Sequence, residues 1–350
     1  MKIPPPRHLQ ALIALTAVLA TFATGCADNS DDASSSTGAD AQTVRIGIGG
    51  QPLLVYLPTT LAQRLGYYRD EGVPVKLEDL QSGSKALEAF QGGSVDVVSG
   101  YYDHTIQMQA KHKDDVAFVD MLRYPSIVLA VSPKASRKID SIADLKGAKV
   151  GVTAPGSSTD FFLKHLLVSD GMKADAARTV AIGGGASAVA AMERGLVDAA
   201  VMVDPSVSQL QKRVGADKVK ILTDTRTEQG VRDDFGVSTY PAAVLYSSRD
   251  WIDGHPKQVR GLAAAIVRAL KFIDTHSAKE IAAKMPSQYA GDDPEVYVKS
   301  IENAKAAYAR DGRIQADGAN AVYKVLSRFI PEVADAHIDL KKTYTNKYLP

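Results

Sequence analysis

The chain has 350 residues, enough for two domains at the usual ~100–200 residues each. Hydrophobic residues are 45% and charged residues 23%, the balance of an ordinary globular chain. Lys and Arg number 41 against 40 Asp and Glu, and no basic run stands out, so charge selects neither nucleic acid nor an acidic membrane surface as a partner.

Lys2 and Arg7 precede the apolar run "ALIALTAVLATFA", Ala11 to Ala23. That run is too short for a stable membrane span and has the layout of a signal peptide, read here as residues 1–25. It ends in "ATGC", and Cys26 is the only cysteine of the chain. A cysteine placed there after small residues resembles a bacterial lipobox, although Ala23 stands where that motif favours leucine. The resemblance implies a lipid anchor on Cys26. The alternative is a plain secretory signal cleaved nearby, with Cys26 incidental. Both imply export, to the periplasm or the outer face of the cytoplasmic membrane. "ADNSDDASSSTGADAQ" follows and reads as a flexible tether over 26–42. One cysteine allows no internal disulfide, so the core must hold the fold.

From Val44 the pattern alternates strand and helix. "VRIGI" (44–48) predicts a strand, Val55 to Tyr67 an apolar-periodic helix, and "VPVKLEDL" (73–80) a second strand. Ser84 to Gln91 predicts a helix, and Val95 to Ser99 and "VAFVDML" (116–122) two more strands. The second half says much the same. "GSKALEAFQGGSVDVVSG" (83–100) returns as "GASAVAAMERGLVDAAVM" (185–202), aligning Gly83, Ala86, Gly93 and Asp96 with Gly185, Ala188, Gly195 and Asp198. "AKVGVT" (148–153), "FFLKHLLVSDGM" (161–172), "RTVAIGGG" (178–185), "DAAVMV" (198–203) and "KVKILTD" (218–224) supply the matching elements.

Arg123-Tyr124-Pro125 and Thr239-Tyr240-Pro241 introduce two further apolar runs. These predict extended crossovers near 126–132 and 241–247. The chain therefore reads as two similar α/β lobes with mostly parallel sheets, 43–127 plus 246–350 and 128–245. After Ser248 the pattern is helical. Pro256 opens a long amphipathic helix, 294–309 and 317–329 follow, and all are expected to close back over the first lobe.

"ALEAFQGGSVDVV", "IADLKGAKVGVTAPGSSTDFFL", "AVAAMERGLVDAAVMVDP" and "IDLKKTYTNKYL", in this order, resemble the bacterial ABC-transporter substrate-binding proteins for nitrate, aliphatic sulfonates and taurine, a group that also takes thiamine-pyrimidine precursors. The resemblance covers about Val44 to the C-terminus. It implies a type II periplasmic-binding-protein fold and hinge closure on a small anionic or heterocyclic solute. It also implies an ABC permease with its ATPase as partners, no cofactor, no catalysis, and a monomer.

Candidate ligand residues fall at the ends of strands, where open α/β sheets bind. In "TAPGSSTDFF", Ser157, Ser158 and Thr159 start a helix whose free N–H groups and hydroxyls suit an anion, or simply cap it. The family also places contacts there. Ser82, Gly83 and Ser84 repeat the design, and Gly184 in "IGGGAS" offers backbone alone. The family's first-strand loop falls on Gly49, Gly50, Gln51 and Pro52, with Gln51 the polar candidate. Tyr101 and Tyr102 follow a strand, and one of the two is expected to meet ligand while the other packs. Asp204 either receives a ligand amine or caps the helix after Pro205. Arg123 and Tyr124 either line the cleft or, for Arg123, form an ion pair.

Nucleotide fingerprints are missing: Leu53 stands where G-x-G-x-x-G needs its third glycine, and no Walker A run occurs. No zinc-ligand spacing and no G-x-S-x-G elbow are present, and His104 and His165 read as packing residues. Three functions therefore compete. They are a transport binder, an exported ligand-sensing receptor domain, and an enzyme related to the fungal pyrimidine synthases. The last group carries a cysteine-rich motif that this chain lacks.

Overall fold

A computed structural model describes residues 43–350; the signal segment, Cys26 and the tether lie outside the described residues. The first half runs β1 (Val44–Ile48), α1 (Leu57–Arg64), α2 (Tyr67–Asp70), β2 (Val75–Asp79), α3 (Gly83–Gln91), β3 (Val97–Tyr101), α4 (Asp103–Ala110) and β4 (Asp115–Asp120). The chain then crosses to β5 (Ile127–Val131), β6 (Lys149–Val152), α5 (Ser158–Ser169), β7 (Arg178–Ala181), α6 (Gly185–Arg194), β8 (Ala199–Val203), α7 (Ser206–Val214), β9 (Ile221–Asp224) and α8 (Glu228–Phe235). It returns through β10 (Ala243–Ser248) into α9 (Arg249–Gly254), α10 (Pro256–Thr275), α11 (Ala278–Lys284), α12 (Pro294–Ala304), α13 (Ala316–Leu326), α14 (Pro331–Asp335) and α15 (Leu340–Thr343).

These strands make two five-stranded sheets, ordered β2-β1-β3-β10-β4 and β7-β6-β8-β5-β9. In each, three strands are parallel: Ile46 lies opposite Leu77 and Val97, and Val150 opposite Thr179 and Ala199. The fourth strand of each sheet is antiparallel to both neighbours. Those two strands are the runs expected as crossovers. Each feeds the sheet on the far side of its crossing, so the sheets are mixed and not simply parallel. This is the two-lobed arrangement of a periplasmic binding protein.

The duplicated aspartate has a structural task in both halves. The Asp96 amide donates to the Arg45 carbonyl at the start of β1, and its carboxylate accepts from the Arg45 amide at 2.8 Å and guanidinium at 2.6 Å. Asp198 does the same for β6, accepting from the Lys149 amide at 2.9 Å and from the Ser136 amide and hydroxyl at 2.9 and 2.6 Å. Each carboxylate thereby pins the central parallel strand of its sheet, β1 or β6, to the strand that follows the carboxylate.

Most of the apolar core is one continuous cluster that runs through both lobes, and a smaller one lies beneath α6 and α7. The long helix α10 buries Val259, Leu262, Ala263, Ile266, Leu270 and Ile273, a stripe at helical spacing, and packs on α1, α2 and β4. The C-terminal helices do more than cover the first lobe: α12 also touches α7, and α13 touches α5. No helix among the described residues is long and apolar enough to cross a membrane.

Burial works against the charge of Asp198, but the Ser136 hydroxyl and the Lys149 and Ser136 amides outweigh it and hold its carboxyl below the ordinary range. A depressed carboxylate contributes stability above its unfolded value and loses it as pH falls through the folded one. Asp198→Ala should therefore cost about 2–4 kcal/mol in urea unfolding at pH 7. The gap to wild type should shrink below about pH 3.5; an equal gap at both pH values would count against the ionised tie.

Candidate functional site: the cleft between the lobes

All three parallel strands of each sheet end on the cleft side, so the loops after them face one another. The candidate residues named from the sequence, apart from Cys26 and the crossing residues Arg123 and Tyr124, sit in or next to one of these loops. The helices that follow begin there too, and their first N–H groups lack partners within the helix.

Across the middle of the cleft the lobes touch. The Ser84 amide donates to Ser157 Oγ at 3.3 Å, and the two serine hydroxyls are 3.3 Å apart. Ser158 Oγ donates to Asp103 Oδ1 at 2.9 Å, and His104 Nε2 meets the Gly156 carbonyl at 3.3 Å. The Leu54 amide donates to the Asp204 carbonyl at 2.9 Å. Helices α3 and α5 thus meet start to start, each lending the other hydroxyl partners.

Beside this seam lies a cavity of about 720 Å³. Gly50, Pro52, Leu53, Asp79 and Gln81 line it from the first sheet, and Gly183 to Ser187, Pro205, Gln209, Lys212 and Arg213 from the second. Gln288 to Asp293, ahead of α12, form the outer wall. Gly184, the N-cap of α6, gives that helix no side-chain cap, so its first amides face the cavity unmasked. Arg213 and Lys212 reach Asp292 at 3.2 Å and Asp293 at 3.7 Å across the rim.

The remaining candidates are placed as follows. Gln51 bonds Asp79 through its amide (3.0 Å) and Thr60 through its side chain (3.3 Å). Ser82 is buried and caps α3 by accepting from the Lys85 amide. At Gly83 a Cβ would stand 3.0 Å from the His104 ring, which explains the glycine there. Tyr101 donates its hydroxyl to the Pro125 carbonyl at 2.6 Å, at the first crossing. Tyr102 points the other way, fully buried, with its hydroxyl on Thr343. Thr159 Oγ1 accepts from the Thr153 amide at 3.0 Å and so shapes its own loop. The Asp204 carboxylate is occupied by Ser208 at 2.8 Å and Arg226 at 2.8 Å. Arg123 donates to the Ala306 carbonyl at 3.0 Å and lies over the Tyr124 ring, whose hydroxyl reaches Glu228.

Sequence reasoning missed Leu53, Gln81, Lys212, Arg213 and the 288–293 wall. The one local signal was "GDDPEVY", where Gly291 takes positive φ and Asp293 caps α12 before Pro294. No group of three or more His, Cys, Asp or Glu among the described residues is placed to hold a metal.

Residues 39–287 match the model of the NMT1-like family. The chain belongs to that family. A solved protein from Bordetella bronchiseptica RB50 is 40% identical, covering 89% of this chain and 97% of its own, with a TM-score of 0.84. The alkanesulfonate-binding protein of Xanthomonas axonopodis pv. citri, solved bound to MOPS, shares the fold at 18% identity and TM-score 0.69, over 88% of this chain and 99% of that one. Among curated proteins, the 4-amino-5-hydroxymethyl-2-methylpyrimidine phosphate synthase of Aspergillus parasiticus is 24% identical over 302 residues, 84% of this chain and 83% of its own length.

Gly184 supplies the sharpest steric test of this NMT1-like cleft, because a Cβ there would stand 3.1 Å from Leu53 of the opposite lobe. Its backbone is extended and accepts any residue. Gly184→Val should leave circular dichroism unchanged while enlarging the radius of gyration, as the added methyls hold the lobes apart. An unchanged radius would mean that Leu53 yields instead.

Proposed function

We propose that this chain is the exported solute-binding component of an ABC importer, capturing a small anionic or heterocyclic solute between its lobes. The carrying observation is the cavity of about 720 Å³ at the carboxyl ends of both sheets, walled by both lobes. One part of its wall suits an anionic group: the open start of α6 presents N–H donors and the positive end of the helix dipole, while Lys212 and Arg213 on the rim pair with Asp293 and Asp292. Pro52, Leu53, Pro205 and Tyr289 offer an apolar face for the rest of the molecule.

In this reading the lobes exist in open and closed arrangements, and the solute favours the closed one by touching both. Export through the signal segment and a lipid anchor at Cys26 would hold the binder beside its permease. A sulfonate is supported by the fold shared with the alkanesulfonate-binding protein. The pyrimidine synthase relative supports a second reading, in which the guest is a pyrimidine and the chain an enzyme.

A thermal-shift screen against alkanesulfonates, taurine, nitrate and pyrimidines should find a solute that raises the melting temperature by mass action. The hit should bind one to one by calorimetry, shrink the scattering radius and be recovered unchanged. Chemical turnover of the hit would favour the enzyme. A hit whose affinity ignores Gly184→Val would place binding outside the cleft.

A further inference from the structure

A second cavity, of about 520 Å³, lies at the amino ends of β1, β3 and β4, on the edge of the first sheet away from the cleft. No described residue lines both cavities. Phe90 of α3 and Trp251 of α9 give this one an aromatic wall, and Trp251 stacks on His255 at 4.8 Å.

The wall also holds Asp115, only 4% exposed, at the start of β4. Asp115 Oδ2 accepts from Gln91 Nε2 at 2.8 Å. Oδ1 has no hydrogen-bond partner among the described residues and is not shut off from solvent, so it is the oxygen that Asp115 shows to the cavity. Burial pushes the carboxyl up to about 6, against the pull of Gln91 and Lys113. Tying α3 to β4 does not require such a group, because an amide or an apolar pair would do so without burying a charge. A desolvated carboxylate with a free oxygen is short of a donor, and a cationic donor suits it best.

The charges around Asp115 do not supply one. Arg45 pairs with Asp96 at 2.6 Å, and Arg249 lies 3.6 Å from Asp114. Among the described residues of the wall, that leaves Lys113 facing two carboxylates without ion pairs, Asp115 and Asp250, with the His112 ring in the same wall. The unpaired set has one more carboxylate than ammonium. Segment 26–42 carries four aspartates and neither lysine nor arginine, so it has no basic side chain to offer.

We propose that this cavity is a second binding site, separate from the cleft, for a small primary alkylammonium. Its N–H donors sit on Asp115 Oδ1 and its alkyl part lies against Phe90 and Trp251, whose rings also attract the charge. A single open oxygen selects a primary ammonium, a compact charge with three donors, over a guanidinium, whose planar fork is best matched by both oxygens of a carboxylate. The proposal does not depend on what the cleft binds.

Trp251 is the only tryptophan of the chain, so its fluorescence reports on this cavity. The full chain is titrated with butylammonium chloride at constant ionic strength and about pH 8, above the titration of Asp115. Wild type should give a saturable change. Asp115→Asn keeps an oxygen for Gln91 but has no charge, and should weaken binding by roughly ten- to hundredfold. Lys113→Gln removes the competing ammonium and should tighten binding, a gain that a damaged fold would not produce. Butyltrimethylammonium has the charge and the chain but no N–H, and should bind more weakly than butylammonium. Gly184→Val, which alters the cleft, should leave the titration unchanged. The proposal is overturned by no saturable change in wild type, by equal affinity in Asp115→Asn, or by equal affinity for the two ions. Loss of the response in Gly184→Val would put the ammonium in the cleft and overturn it as well.

Discussion

The constraint from which the rest of the structure follows is that both sheets end their three parallel strands on the same side. A helix must begin after each strand, and each helix start carries amide donors with no partner inside the helix. Two such arrays, facing each other, form a surface with many backbone donors to satisfy. The lobes partly satisfy it themselves, with Ser157 accepting from the Ser84 amide across the gap and Thr159 accepting from Thr153 within its own loop. What they leave open, at the start of α6, is where an electron-rich guest fits best.

Duplication makes this arrangement economical. Asp96 and Asp198 show that the repeated segment is first a device for assembling a sheet, locking β1 in one lobe and β6 in the other to a neighbouring strand. The lobes then diverge at the cleft. Where the first places Gly49 to Leu53 and the serines around Gly83, the second places three glycines and the "GSST" run. A shared frame with unlike loops lets each lobe contribute different groups to one cavity.

Much of this was legible in the sequence because it depends on local periodicity. The strands β1, β3, β6 and β8, the cap at Ser82 and the stripe of α10 all follow from residues close in the chain. The antiparallel insertion of β5 and β10 did not, since periodicity cannot say which partners a buried apolar run will take. Tyr101 and Tyr102 were inseparable for a similar reason. Consecutive residues at a strand end face opposite ways, and only the packing of α15 shows that Thr343 claims Tyr102. The 288–293 wall was hidden because its position depends on α12 docking against α7, more than 80 residues earlier in the chain.

How firmly the lobes hold together differs between the two sides of the cleft. Toward the crossings the contact is aromatic: Phe161 packs on Phe329 of the first lobe at 6.1 Å, and Phe235 stacks at 4.4 Å on Tyr240, which leads into the second crossing. Apolar area buried there has no equal partner in water, so on the proposed opening of the cleft this side would stay together and serve as the axis. Across the seam the contacts are a few hydrogen bonds, each contributing about 0.5–1.5 kcal/mol net because water can replace them. The five such bonds amount to roughly 2.5–7.5 kcal/mol, before the entropy that closure costs. A closed state held by so little is within reach of a guest of micromolar affinity, whose binding free energy is about 8 kcal/mol. An apolar seam of the same extent would stay shut regardless. The serines, the histidine and the aspartate between the lobes therefore suit a cleft that must reopen, and the phenylalanines behind them suit a hinge that must not.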